Sequence, residues 1–135
     1  MEITIASLKH LQESVGLFLK HIDDYKVLAF EGEMGAGKTT FINVLLVEMG
    51  VINPKGSPTY SLINEYDSNF GVIYHFDSYR LQNEMEAFDS GMEELLDGNS
   101  FCFVEWPQKI VNLLPDKTLW IKIRRNDDNS RTLTF

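Results

Sequence analysis

The segment Gly32-Glu33-Met34-Gly35-Ala36-Gly37-Lys38-Thr39 fits the phosphate-binding loop pattern G-x-x-x-x-G-K-[ST]. That pattern works only between a strand that delivers it and a helix that leaves it. The chain supplies both. Val27-Leu28-Ala29-Phe30 is an apolar run of strand length, and Phe41, Val44, Leu45 and Val47-Glu48-Met49 give the helical stretch after it. The glycines let the loop curl until backbone N–H groups converge on an anion. The new helix adds its free N–H groups and the positive end of its dipole. Lys38 brings a point charge to the β- and γ-phosphates, and the Thr39 hydroxyl reaches Mg²⁺. A glycine-rich turn without a ligand leaves unexplained why Lys and Thr open the helix. The expected ligand is a nucleoside triphosphate with Mg²⁺, cradled by Glu33, Met34, Gly35, Ala36, Gly37, Lys38 and Thr39.

With 135 residues, 44% of them apolar, the chain suits one domain spanning 1–135. No repeat, low-complexity stretch or Pro/Ser-rich linker divides it. Glu2 to Ala6 alternates and predicts a strand. Ser7 is the expected cap of a helix whose apolar stripe is Leu8, Leu11, Val15, Phe18, Leu19 and Ile22. After the loop's helix, ending near Gly50, comes an irregular stretch with Pro54, Gly56 and Pro58. Tyr60 to Tyr66 and Val72 to Phe76 predict an antiparallel hairpin. Asn83 to Leu96 predicts a helix broken near Gly91. Ser100 to Val104 predicts a strand buried on both faces. Pro107 suits a helix start, running to about Leu114. Thr118 to Ile123 and Thr132 to Phe135 predict closing strands around the turn Asn126-Asp127-Asp128-Asn129. The expected fold is an α/β, P-loop NTPase-like three-layer sandwich with a mixed, mostly parallel sheet.

The formal net charge of −8 argues against this domain gripping nucleic acid by its own surface, since phosphate contacts need clustered Lys and Arg. Of four arginines, Arg124, Arg125 and Arg131 lie near the C-terminus, where a solvated strand end is expected ahead of a basic patch. The single Cys102 forms no internal disulfide and is expected as a buried strand residue. Met1-Glu2 is a poor start for a secretory signal, and no apolar run approaches membrane-spanning length. The expected location is cytoplasmic.

Hydrolysis needs a carboxylate near the Mg²⁺ and a group that places the attacking water. Asp77 and Glu105 each end an apolar strand, at the edge where α/β sheets bind their ligands. Either fits the Walker B acid. Asp77 is preferred for the metal, directly or through water, and Glu105 for orienting water or helping hold the metal. Thr59, in the irregular stretch, is either a switch-loop residue sensing Mg²⁺ and the γ-phosphate or a plain strand entry. His75, alone on a strand, is expected to be structural. Trp106 either stacks on a base or packs.

Together these pieces resemble the TsaE family (also called YjeE), small bacterial P-loop ATPases required for threonylcarbamoyladenosine modification of tRNA. The resemblance is carried by Gly32 to Thr40, by Ser57-Pro58-Thr59-Tyr60-Ser61-Leu62 with Tyr66, by His75-Phe76-Asp77-Ser78-Tyr79-Arg80-Leu81, and by Glu105-Trp106. Order and spacing agree from the first helix to Trp106. The resemblance implies that Lys38 and the loop amides hold the phosphates of ATP and that Thr39 ligates Mg²⁺. Thr40 then touches the α-phosphate side, and Thr59 belongs to a switch-like loop. It further implies Asp77 as Walker B acid, Glu105 assisting at metal or water, and Trp106 near the adenine. Glu33 and Ser78 depart from the family's usual Asp and apolar residue, without touching the phosphates. The implied partners are a heterodimer of TsaB and TsaD, which carry most of the tRNA contact, with no membrane involved.

Rival readings are weaker. A small nucleotide kinase needs several arginines and a lid, and only Arg80 lies between the loop and Glu105. A GTPase needs an N-K-x-D segment, which is absent from the sequence. A non-hydrolysing scaffold leaves Asp77 and Glu105 without a use.

Overall fold

Two strands of this chain are apolar at nearly every position, and they lie side by side at the centre of the sheet. The computed structural model describes residues 1–58 and 62–135. In chain order the strands are β1 (Glu2–Ile5), β2 (Val27–Glu31), β3 (Ile63–Ser68), β4 (Gly71–Asp77), β5 (Phe101–Glu105), β6 (Thr118–Arg125) and β7 (Arg131–Thr134). They form one seven-stranded sheet in the order β1-β7-β6-β2-β5-β4-β3. The four central strands β6, β2, β5 and β4 are parallel, and β1, β7 and β3 join antiparallel. A continuously apolar strand suits this central position because both of its faces are covered.

Side-chain alternation sends the two faces of β5 into different cores. Phe101 and Phe103 pack on one face with Phe18 of α1 (Leu11–Leu19) and Phe41 of α2 (Lys38–Glu48). Cys102 and Val104 pack on the other with Ala87 of α3 (Glu84–Asp89) and Met92 of α4 (Met92–Leu96). That makes three layers, as expected from the sequence. Burial pushes the Cys102 thiol up to about 12, so it packs as an inert apolar group. None of the described helices is long and apolar enough to cross a membrane.

Several local expectations are corrected. Leu8 is 78% exposed, outside the core stripe, because a 3₁₀ turn over Leu8–His10 precedes α1 and rotates it outward. Ser7 does not cap backbone; its hydroxyl bonds His10 Nδ1 at 3.0 Å. The first hairpin strand starts at Ile63 and runs past Tyr66 to Ser68, and Gly71 (φ +88) opens the second strand. As expected, the helical stretch over Asn83 to Leu96 breaks near Gly91, which takes φ +85 between α3 and α4. The helix expected from Pro107 runs to Leu113 as a 3₁₀ helix with a kink at Ile110. Tyr60 falls outside the described residues.

The α1–α2 side is fixed by aromatic rings. Phe41 meets Phe18 edge-on with centroids 5.3 Å apart and lies 6.0 Å from Phe30. Phe41→Ala should cost about 3–5 kcal/mol of folding stability in urea denaturation, and a loss under about 1 kcal/mol would mean these rings do not anchor α2.

Candidate active site

The site is built where β2 and β5 run parallel. Their register sets Phe30 opposite Glu105, so the loop leaving β2 begins beside the Glu105 carboxylate. The loop curls through Gly35 (φ +81) and Gly37 (φ +104), left-handed conformations that a side chain would strain. Gly37 precedes α2 and no side chain caps it, so the first N–H groups of α2 lack intrahelical partners and remain for a ligand. A Cβ on Gly32 would come within 2.7 Å of the Ile123 carbonyl oxygen, which fixes the path of the loop against β6. A cleft of about 480 Å³ opens over this loop, lined among others by Lys38, Thr39, Asp77, Arg80, Glu105 and Trp106.

Lys38 is buried and turned back on its own loop. Its ammonium donates to the carbonyls of Gly32 and, at 3.3 Å, Glu33, and the Trp106 ring lies over it at 4.0 Å. Burial lowers its affinity for a proton, and Glu105 and Asp77 oppose that shift. Trp106 itself sits at φ +58, ψ +49, against Tyr79 at 5.0 Å.

Glu105 is the hub. Its Oε1 accepts from the Thr39 hydroxyl at 2.8 Å, and its Oε2 accepts from Ser57 at 3.1 Å and meets His75 Nε2 at 2.7 Å. The Thr39 and Ser57 oxygens lie 2.9 Å apart, so either hydroxyl can give its one proton to the other in place of Glu105. Burial alone would raise this carboxyl, but the bonds from His75, Thr39 and Ser57 outweigh it and hold it below its ordinary value. Asp77, the last residue of β4, pairs in register with Glu105 of β5. Its Oδ1 accepts from the Tyr79 N–H at 3.0 Å, and no bond joins it to Thr39 or Ser57 among the described residues.

Hard oxygens at Thr39 and Glu105 suit Mg²⁺. Among the described residues no group of three or more His, Cys, Asp or Glu converges on a metal position. Beyond Thr40 lies a smaller hollow of about 110 Å³, lined by Leu8, Leu11, Thr40, Phe41, Asn129 and Arg131.

A family model described as "Threonylcarbamoyl adenosine biosynthesis protein TsaE" matches residues 5–133. The chain belongs to the TsaE family. It is 40% identical over 109 residues to the tRNA threonylcarbamoyladenosine biosynthesis protein TsaE of Bacillus subtilis, covering 81% of this chain and 68% of that one. The TsaE of Rickettsia prowazekii is 30% identical over 129 residues, covering 95% of this chain and 89% of that one. In three dimensions the chain resembles Bacillus subtilis YdiB, with a TM-score of 0.78 at 28% identity, covering 98% of this chain and 82% of that one.

Within this TsaE-family chain, the fold brings residues 33–40, Asp77, Glu105 and Trp106 to one cleft. Thr59 lies outside the described residues. Three contributors escaped the sequence reading. Ser57 was visible only as part of the family pattern. His75 looked structural because nothing local ties it to Glu105, 30 residues on. Arg131, on the last strand, donates from Nε to the Ala36 carbonyl at 2.8 Å and lines the cleft, with no motif to mark it.

Because the folded carboxyl of Glu105 binds its proton less tightly than in the unfolded chain, its contribution to stability is present above the ordinary value of 4.5. That contribution is lost as pH falls through the depressed folded value. In urea denaturation without metal, the native protein should lose stability more steeply below pH 4.5 than Glu105→Gln does. Equal slopes would show that the carboxylate gains nothing from its partners.

Proposed function

We propose that this chain is a Mg²⁺-dependent ATPase that serves threonylcarbamoyladenosine modification of tRNA. Family membership supplies the pathway. The observation carrying the ATPase reading is the 2.8 Å hydrogen bond between Thr39 and Glu105, which joins the phosphate loop to a buried carboxylate from a different strand. A carboxylate beside the phosphate loop is what hydrolysis needs near the Mg²⁺.

In this reading the backbone amides of residues 35–40 and the Lys38 ammonium hold the triphosphate. Phosphate oxygens replace the carbonyls on which Lys38 now rests. Thr39 and Glu105 hold the Mg²⁺, which supplies charge neutralisation at the β- and γ-phosphates. The sequence reading preferred Asp77 for the metal. The Thr39–Glu105 contact favours Glu105, with Asp77 left to orient water from the neighbouring strand. Arg131 steadies the loop from β7 through its bond to the Ala36 carbonyl. Since Lys38 serves the β- and γ-phosphates and Thr40 the α-phosphate side, the nucleoside continues into the hollow beyond Thr40. The exposed Leu8 then has a role as a wall for the base, and Trp106 is a cover over Lys38 instead of an adenine contact. The partners are a TsaB–TsaD heterodimer in the cytoplasm, which provides most of the tRNA contact; a chain of net charge −8 suits that division.

Lys38→Ala should weaken ATP binding at least tenfold in calorimetry, since a hydrogen bond to a charged group contributes about 1.5–3 kcal/mol. Unchanged binding and turnover would remove the loop from the function. Leu8→Glu should weaken ATP binding while leaving folding stability within about 0.5 kcal/mol, as expected for an exposed site. Unaltered affinity would return the base to Trp106.

A further inference from the structure

We propose that His75 is the residue that positions Glu105, holding the carboxylate so that Oε1 faces Thr39. This rests on the ATPase reading above. His75 lies on β4 opposite Phe103 of β5, and Glu105 is two residues further along the same strand. Alternation therefore puts both side chains on the α2 face of the sheet. His75 is 0% exposed and Glu105 2%, and Nε2 and Oε2 are 2.7 Å apart.

The three donors to Glu105 are not equivalent. Thr39 and Ser57 are hydroxyls 2.9 Å apart, and each can give its single proton either to the carboxylate or to the other hydroxyl, so each has somewhere else to turn. Thr39 must turn once it serves a metal ion. His75 has no such freedom. Its Nδ1 is buried without a hydrogen-bond partner among the described residues, so Nε2 makes the single bond that the ring has. When the hydroxyls are drawn to a ligand, His75 is the donor that stays. It keeps a buried carboxylate from being left unpaired, a loss that costs more than an ordinary hydrogen bond.

A packing role alone does not account for this residue. Neighbouring Ile73 and Phe76 on β4 fill the two cores with apolar side chains. An imidazole at position 75 carries a desolvation cost that an apolar residue avoids. Its Nδ1 remains unsatisfied, and its compensation is Glu105.

The test compares His75→Leu with His75→Gln, whose amide N–H reaches about as far as Nε2, in the full chain. His75→Leu should lower kcat, or raise the Mg²⁺ requirement, by about 10- to 100-fold, the usual effect of losing a partner behind a metal ligand. ATP affinity without metal should stay unchanged, and His75→Gln should restore most of the loss. In a Glu105→Gln background, His75→Leu should add nothing, because its effect passes through Glu105. A metal-free crystal structure of His75→Leu should show the Glu105 carboxylate turned away from Thr39. Wild-type turnover and Mg²⁺ dependence in His75→Leu, or an unmoved Glu105 in its crystals, would overturn the inference. If the unsubstituted protein shows no Mg²⁺-dependent ATP turnover, the ATPase reading falls, and the crystal comparison still decides the role of His75. Should His75→Leu not fold, His75→Asn, polar but too short to reach Glu105, takes its place.

Discussion

The parallel pairing of β2 with β5 is the constraint on which the site depends. It sets Phe30 opposite Glu105, so the phosphate loop and the carboxylate leave the sheet at the same edge and on the same face. Ligands of open α/β sheets bind beyond the carboxyl ends of the strands, and here the last residue of each strand meets that edge. The register is protected by burial on both sides. A slip of one residue would turn Phe101 and Phe103 out of the α1–α2 core and carry Glu105 to the α3–α4 face. The position of a reactive carboxylate is thus enforced by apolar packing several residues away.

Around that edge the chain keeps two charges out of water, and treats them differently. Glu105 is matched by three donors and held ionised. Lys38 has no close ion partner among the described residues; it rests on carbonyl oxygens of its own loop under the Trp106 ring. An ammonium under-neutralised in this way is poised for an anion, and the free amides at the start of α2 point to the same ligand. Trp106 holds a left-handed conformation that costs a bulky residue free energy and is sustained only by its surroundings. The strained residue, the buried ammonium and the uncapped helix start all belong to one cleft.

Much of this was legible in the sequence because it is local. The loop motif, the apolar runs of β2 and β5, and the acids ending β4 and β5 are each written in a few consecutive residues. What escaped depends on strand order. Nothing between positions 77 and 105 says that β5, rather than β4, lies next to β2, so Asp77 was preferred over Glu105 for the metal. His75 and Ser57 acquire partners only once that order is known. Arg131 reaches the loop because β7 returns beside β6, a pairing set by the far end of the chain. Leu8 fits the 3.6-residue stripe and still faces outward, since the helix begins with a tighter turn. In each case the missing information was tertiary.

The most direct measurement is a crystal structure with Mg²⁺ and a non-hydrolysable ATP analogue. The account predicts the triphosphate on the amides of residues 35–40, with the ion held by the Thr39 hydroxyl and Glu105 and with His75 still bonded to Glu105. An ion on Asp77, with the Thr39–Glu105 hydrogen bond intact, or a loop that takes up no phosphate, would contradict it.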